Sequence, residues 1–274
     1  MNEAIVTTYQ PLYVALSLLC AFMGAYTALA CVYQLLAYRK AHINHSLDKL
    51  TGKRVAPTVV PSARMYLTTL VVAGIAFGGL GVWAMHFVGT LALQLPVNVD
   101  YGLGTTLLSL TAAVAAATWG LGIVAANPYS KTRLVCAGAI LGLGVSAMHY
   151  LGMYSMEFDG FFLWNWPMVA LSCLIAFVAA TAGLWLAFAA SSNYARWMAA
   201  GLMGGAVCAM HYTGMAAANV VCFTPTQQAP LLPQQNSVGV LSQLPALPVL
   251  LVMLIVVITF IVALNRMYSR QFET

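Results

Sequence analysis

Apolar residues in this chain do not alternate with polar ones; they run together. Seven stretches are almost continuously apolar: 11–37, 65–91, 103–126, 134–156, 168–190, 198–220 and 248–267. A helix needs roughly 20 such residues to cross a hydrocarbon layer about 30 Å thick. The pattern therefore predicts an all-α membrane protein of seven transmembrane helices. The first six fall into three pairs, 1–2, 3–4 and 5–6. In each pair the odd helix is rich in small residues, as in Ala179-Ala180-Thr181-Ala182-Gly183, which suits close helix packing. Between the sixth and seventh stretches, residues 221–247 form an uncharged loop rich in Pro and Gln. The seventh helix and a short tail occupy 248–274.

Composition sharpens this reading. With 62% hydrophobic and 6% charged residues, the chain lacks the charge that a soluble domain of this length carries. The first stretch is not a cleavable signal, because residues 1–10 hold Glu3 but no Lys or Arg. Every Lys and Arg falls on one side: Arg39, Lys40, Lys49, Lys53, Arg54, Arg64, Lys131, Arg133, Arg196, Arg266 and Arg270. Glu3, Asp100, Glu157 and Asp159 fall on the other. The positive-inside rule makes the basic side cytoplasmic, with the N-terminus outside and the C-terminus inside. The net charge of +5 is thus a signal of topology, and no nucleic-acid partner is expected. Five of the six cysteines lie within helices, and Cys222 has no evident loop partner, so thiols acting as small apolar residues are expected. The loop 38–63 is expected to be a solvated basic segment beside the lipid. Its His42, His45 and Asp48 would share a face, and hold a metal, only on a helical turn.

One motif occurs three times. Gly81 to Thr90 reads G-V-W-A-M-H-F-V-G-T, Ser146 to Met153 reads S-A-M-H-Y-L-G-M, and Ala206 to Met215 reads A-V-C-A-M-H-Y-T-G-M. Each copy has Ala-Met-His, an aromatic residue, and Gly three positions after the His. The copies sit on the even helices about sixty residues apart, as a repeated unit would place them. Arg133 precedes His149 by sixteen residues, roughly 24 Å of helix, so the imidazoles lie in the outer part of the bilayer. An ionisable group in such a segment marks a functional site unless it only joins helices.

The residue types point to a metal. Imidazole suits copper, zinc and iron, whereas thioether sulfur selects copper(I). The candidate ligands are His86, His149 and His211. Met153 and Met215 follow, each four residues past its His on the same helix face. Met85, Met148 and Met210 serve either as ligands or as packing. Zinc is the second metal, with water or one of Asp100, Glu157 and Asp159 completing it. Haem could also use these histidines.

With Phe87 in place of the tyrosine of the other copies, the Met85-His86-Phe87, Met148-His149-Tyr150 and Met210-His211-Tyr212 triplets resemble the MHYT domain. That is a bacterial membrane sensor domain of six or seven spans, and the resemblance covers 1–220 and, with the seventh helix, nearly the whole chain. It implies an inner-membrane sensor whose motif Met and His residues hold copper near the outer face and respond to oxygen, carbon monoxide or nitric oxide. Relatives often carry cytoplasmic modules that make or break cyclic-di-GMP, or a histidine kinase. This chain resembles a stand-alone version without a catalytic output domain, so a separate cytoplasmic signalling partner is implied. The alternatives are copper or zinc acquisition, a membrane metalloenzyme, and a structural role.

Overall fold

The computed structural model describes residues 8–51, 61–94, 99–189 and 193–222. Six long helices dominate: α1 (Pro11–Thr51), α2 (Ala63–Leu91), α3 (Leu103–Ala126), α4 (Lys131–Tyr154), α5 (Trp166–Ala189) and α6 (Asn193–Ala216). Among the described residues, α1 to α5 are long and apolar enough to cross a membrane. Helix α6 matches α3, α4 and α5 in length, with 24 residues, but dilutes its apolar run with Asn193, Arg196 and His211. The expected seventh helix and most of the 221–247 loop lie outside the described residues.

Lipid offers no hydrogen bonds, so each backbone must satisfy itself, and helices do so. Their starts are fixed by side chains. Ser62 accepts a bond from Met65 N, Ser130 from Arg133 N, and Asn165 from Met168 N, each covering one of the open N–H groups of a first turn.

The connections depart from the all-helical expectation. Strands β1 (Thr8–Tyr9), β2 (Leu93–Gln94), β3 (Asp100–Tyr101), β4 (Met156–Glu157), β5 (Gly160–Trp164) and β6 (Ala218–Cys222) form three antiparallel pairs, β1·β2, β3·β4 and β5·β6. The registers are Thr8↔Gln94, Asp100↔Glu157 and Phe162↔Val220. Each pair joins the start of an odd helix to the end of the next even one. The repeat is therefore strand, helix, helix, strand, closed on itself. This shortens the sixth apolar stretch: residues beyond Ala216 pair as a strand instead of extending the helix to 220. It also takes Val221 and Cys222 out of the expected outer loop.

A second departure concerns the basic loop. Helix α1 does not end near residue 37 but continues to Thr51. The stretch from Tyr38 to Thr51 contains neither Gly nor Pro, so nothing in it stops a helix once one has begun. His42 there bonds the Pro61 carbonyl at 3.0 Å, which ties it to the start of α2 and not to His45 or Asp48.

The six helices close into a ring in chain order, with α6 packed back on α1. Small residues set the spacing. A Cβ on Gly142 would strike the backbone of Phe177 on α5, and one on Gly204 would crowd Phe22 on α1. Both glycines stand seven residues before the motif histidine of their helix. On α2 the same contact, with Ala113 on α3, is made by Gly78, eight residues before His86. Further inward, Gly138 on Thr181 and Gly74 on Thr118 repeat the offset, eleven residues against twelve. Nearer the histidine it vanishes, since Gly81 and Gly144 both stand five residues before it and both face the odd helix of their own repeat. Helix α2 thus carries one extra residue, at Gly79 or Leu80. The helix absorbs it by widening to π turns from Ile75 to Ala84, the usual consequence of a single insertion.

These contacts predict where a methyl group is tolerated. Gly24→Ala and Gly78→Ala drive Cβ into the backbones of Gly81 and Ala113, and each is expected to cost about 1–3 kcal/mol. Gly104→Ala, with open space around it, costs nothing. Thermal unfolding of the detergent-solubilised protein ranks the three.

Candidate metal centre

The three motif histidines stand five positions before the ends of α2, α4 and α6 at Leu91, Tyr154 and Ala216. Equal depth and the closed ring bring them to one point. Their Nδ1 atoms form a triangle with sides of 3.1 Å (His86–His149), 3.1 Å (His86–His211) and 3.3 Å (His149–His211). The rings stand nearly perpendicular to one another, at 87°, 89° and 88°. All three side chains are buried, and among the described residues no carboxylate or cysteine joins the cluster.

A ring of neutral imidazoles cannot satisfy this triangle. Each Nδ1 is either a donor or an acceptor. Among three atoms, two must be alike, so at least one contact sets proton against proton or lone pair against lone pair. The Nε2 atoms give no relief, because each is buried without a hydrogen-bond partner among the described residues. A cation at the centre resolves the conflict by using all three Nδ1 lone pairs at once. The size fits: the point equidistant from the three nitrogens lies about 1.8 Å from each in their plane, close to the roughly 2.0 Å of an imidazole–metal bond. The field helps as well. The histidines sit near the C-terminal ends of three helices, where the peptide dipoles favour positive charge.

The glycine of each motif holds the histidine of another. A Cβ on Gly152 would stand on the Nε2 edge of His86, one on Gly214 on His149, and one on Gly89 on His211. The three contacts form a cycle. The residue types of the motif alone do not reveal this role for its glycines. The signal was present in the constant spacing of three residues from each His.

The aromatic residue after each His ties the centre to the next repeat. Tyr150 bonds Ser172 on α5 at 2.6 Å, and Tyr212 bonds Ser17 on α1 at 2.9 Å. Each serine proton goes to the carbonyl three residues back, Val169 or Val14, so the tyrosine is the donor. Phe87 has no hydroxyl to offer Ser109 on α3. Trp83, drawn in by the wider turns of α2, donates its indole N–H there at 3.0 Å instead. Each aromatic ring also packs edge-on to its own histidine, with centroids 4.8 or 4.9 Å apart.

The structure treats the methionines as core. Met85, Met148, Met153, Met210 and Met215 are all buried in the apolar cluster. Met210 lines a small apolar cavity with Val145, Met203 and Val207. At the position of Met153 and Met215, α2 has Thr90, whose hydroxyl bonds the Phe87 carbonyl at 2.8 Å. The carboxylates considered for a fourth ligand lie elsewhere: Asp100 and Glu157 face each other across β3·β4.

Comparison with known proteins agrees with the repeat. Residues 79–138 and 142–200 each match the MHYT family, described as a bacterial signalling protein N-terminal repeat. The two matches begin 63 residues apart, the spacing of His86 and His149. The His211 copy and α1 lie beyond the matched segments, and the closed ring shows them to be parts of the same repeat series. Among curated proteins, the chain is 34% identical to the bifunctional diguanylate cyclase/cyclic di-GMP phosphodiesterase MucR of Pseudomonas aeruginosa, over 78% of this chain and 28% of that protein. It is 33% identical to the cyclic di-GMP phosphodiesterase NbdA of the same organism, over 77% of this chain and 24% of that one. It is 25% identical to the signaling protein YkoW of Bacillus subtilis, over 70% and 24%. The aligned part is thus about a quarter of each relative's length, and their named activities belong to the whole proteins. No solved structure matches the chain.

The substitution of Trp83 for a tyrosine hydroxyl can be tested as a cycle. Trp83→Phe leaves Ser109 without its donor and is expected to cost about 1 kcal/mol beyond its lost contacts. Adding Phe87→Tyr supplies a hydroxyl in the position used by the other two repeats and recovers part of that loss. Unfolding midpoints of the two single variants and the double variant measure the coupling.

Proposed function

The chain is a member of the MHYT family, and from that premise we propose that it is an integral-membrane sensor that binds one copper(I) ion through His86, His149 and His211. The observation that carries the reading is the triangle of three buried Nδ1 atoms that no set of protons can satisfy.

Copper(I) is favoured over zinc by charge. The cost of burying an ion rises with the square of its charge. Three neutral imidazoles bring no negative charge, and no carboxylate joins the cluster among the described residues. A single positive charge near three helix C-termini is therefore the least costly occupant. The buried methionines of the motif surround the site with soft side chains of the kind that also suit copper(I).

When bound, copper(I) would supply an open coordination position for a diatomic gas such as oxygen, carbon monoxide or nitric oxide, or a change of redox state. The chain's own residues would carry the response. The histidines fix the three even helices to one another. Tyr150, Tyr212 and Trp83 fasten each even helix to the odd helix of the following repeat. A shift of the histidines would therefore move Ser17, Ser109 and Ser172, and with them α1, α3 and α5. Those helices run to the side that carries the basic residues.

The basic side is read as cytoplasmic, with the N-terminus outside, in a bacterial inner membrane. The seventh span at 248–267 belongs to this reading, as do the sensor region 1–220 and a separate cytoplasmic signalling partner.

Elemental analysis of the purified protein after copper(I) loading is expected to give one copper per chain. The triple variant His86→Ala/His149→Ala/His211→Ala is expected to retain none, and full retention would end the proposal. Gly152→Ala keeps every histidine but pushes on His86, and is expected to retain less than half. For topology, a cysteine placed at Lys49 should be reached by a membrane-impermeant reagent only after cells are opened.

A further inference from the structure

The extension of α1 carries a feature that the metal centre does not use. Ile43, Leu47 and Leu50 are 48%, 52% and 83% exposed. At 100° per residue they fall within an arc of about 60° and form one apolar strip. Exposure alone is ordinary on a membrane protein, whose lipid-facing side chains are apolar. The question is whether this strip lies in lipid.

The helix itself answers it. The Arg196 guanidinium lies 4.6 Å over the ring of Tyr33, and because a guanidinium belongs outside the hydrocarbon, the inner membrane surface is assigned to this level. From Pro11 to Tyr33 the helix rises about 33 Å, which accounts for the hydrocarbon layer. Ile43 lies about 15 Å beyond Tyr33 and Leu50 about 25 Å beyond, past a headgroup zone several ångströms deep. Helix α1 runs without interruption through this region. The bond from His42 to the Pro61 carbonyl holds the neighbouring face against the start of α2. That face points about 100° away from Ile43, so α2 does not cover the strip.

The strip continues toward the membrane as charge. Arg39 and Lys40 flank the line of Ile43, one on each side. This decides among occupants. Two copies of the chain leave the membrane in the same direction, so their strips would pair in parallel and set Lys40 against Lys40. Like charges across such a seam oppose pairing. A helix with an apolar face and acidic residues at its membrane-proximal end fits both parts of the strip.

We infer that residues 39–50 of α1 are a docking face for an acidic amphipathic helix of a soluble signalling protein. The inference deepens the proposed sensor reading and rests on its assignment of this side as cytoplasmic. It places the contact on α1, the helix that Tyr212, next to His211, holds through Ser17.

The test uses the full chain in zwitterionic nanodiscs, one copy per disc, where both faces are accessible. The probe is a fluorescent synthetic amphipathic peptide with leucines at i, i+3, i+4 and i+7 and glutamates at one end. The control peptide has lysines in place of the glutamates. Anisotropy is expected to show the glutamate peptide binding about tenfold more tightly than the lysine peptide. Leu47→Glu should abolish binding, and Lys40→Glu, which sets one negative charge against Arg39, should erase the preference. Equal binding of both peptides, or binding indifferent to Leu47→Glu, overturns the inference. So does protection of a Leu47→Cys thiol from a water-soluble maleimide in these discs, which would mean that the chain covers its own strip. Disulfide-linked dimers of Leu47→Cys in native membranes would assign the face to a second copy and also overturn it. Copper content is measured on the same samples, so failure here is distinguishable from failure of the metal centre.

Discussion

Three imidazoles aimed at one point inside an apolar bundle are the constraint on which the rest of this structure depends. Their Nδ1 atoms are too close for three protons and too well centred for simple packing. Holding them there requires equal depth, which the repeat supplies, and close seating, which the glycines supply. Each imidazole lies on the glycine of another copy. A methyl group at Gly89, Gly152 or Gly214 would displace the ring lying there. The Ala-Met-His-aromatic-x-Gly spacing is therefore one half of a contact whose other half is the same motif elsewhere in the chain. This gives a physical reason for the motif to occur three times: one copy makes neither a triangle nor a seat.

The departures from threefold order are compensated locally. Helix α2 has an extra residue near Gly79 and Leu80, and its backbone takes it up in π turns. Without that adjustment, either Gly78 would lose its approach to α3 or His86 would leave the level of the other two. Helix α2 also has Phe87 where the others have tyrosine. Trp83 lies within the widened segment and reaches the serine that a tyrosine would have reached. The backbone change and the side-chain change are neighbours, and together they keep His86 in register.

Much of the centre was legible in the sequence. Apolar runs gave six of the helices, because a bilayer-length run has few other solutions, and the motif gave the three histidines and their shared depth. What escaped was whatever depends on helix rotation and on pairing between distant segments. Residues 8–9 and 93–94 are too short to announce a strand, and only the closed repeat brings them together. The extension of α1 to Thr51 was hidden by its polarity. A pattern built on apolar runs ends the helix near residue 37, while the absence of Gly and Pro lets it continue. The methionines show the same limit. Spacing put Met153 and Met215 on the faces of their histidines and Thr90 at the same place in α2; burial in the apolar cluster is compatible with packing and with coordination alike.

The placement of charge bears on how such a centre could be coupled to anything outside it. Between the histidines and the basic residues Arg133 and Arg196, the described parts of α4 and α6 hold no Asp, Glu, Lys, Arg or further His; their ionisable groups there are the thiols of Cys136 and Cys208. With no carboxylate or basic group along that path, a change at the centre is expected to leave as movement. Polar ties lead from the motif to the odd helices through three serines, one on each, and Trp83 also reaches the Thr106 carbonyl on α3 at 3.3 Å. They lie about one helical turn from the histidines and act on helices packed in a closed ring. In a ring, shifting one member displaces its neighbours, because interdigitated helices repack in discrete steps and do not deform smoothly. Of the odd helices, α1 runs furthest from the level of the histidines, so a displacement at Ser17 is expressed over its longest lever.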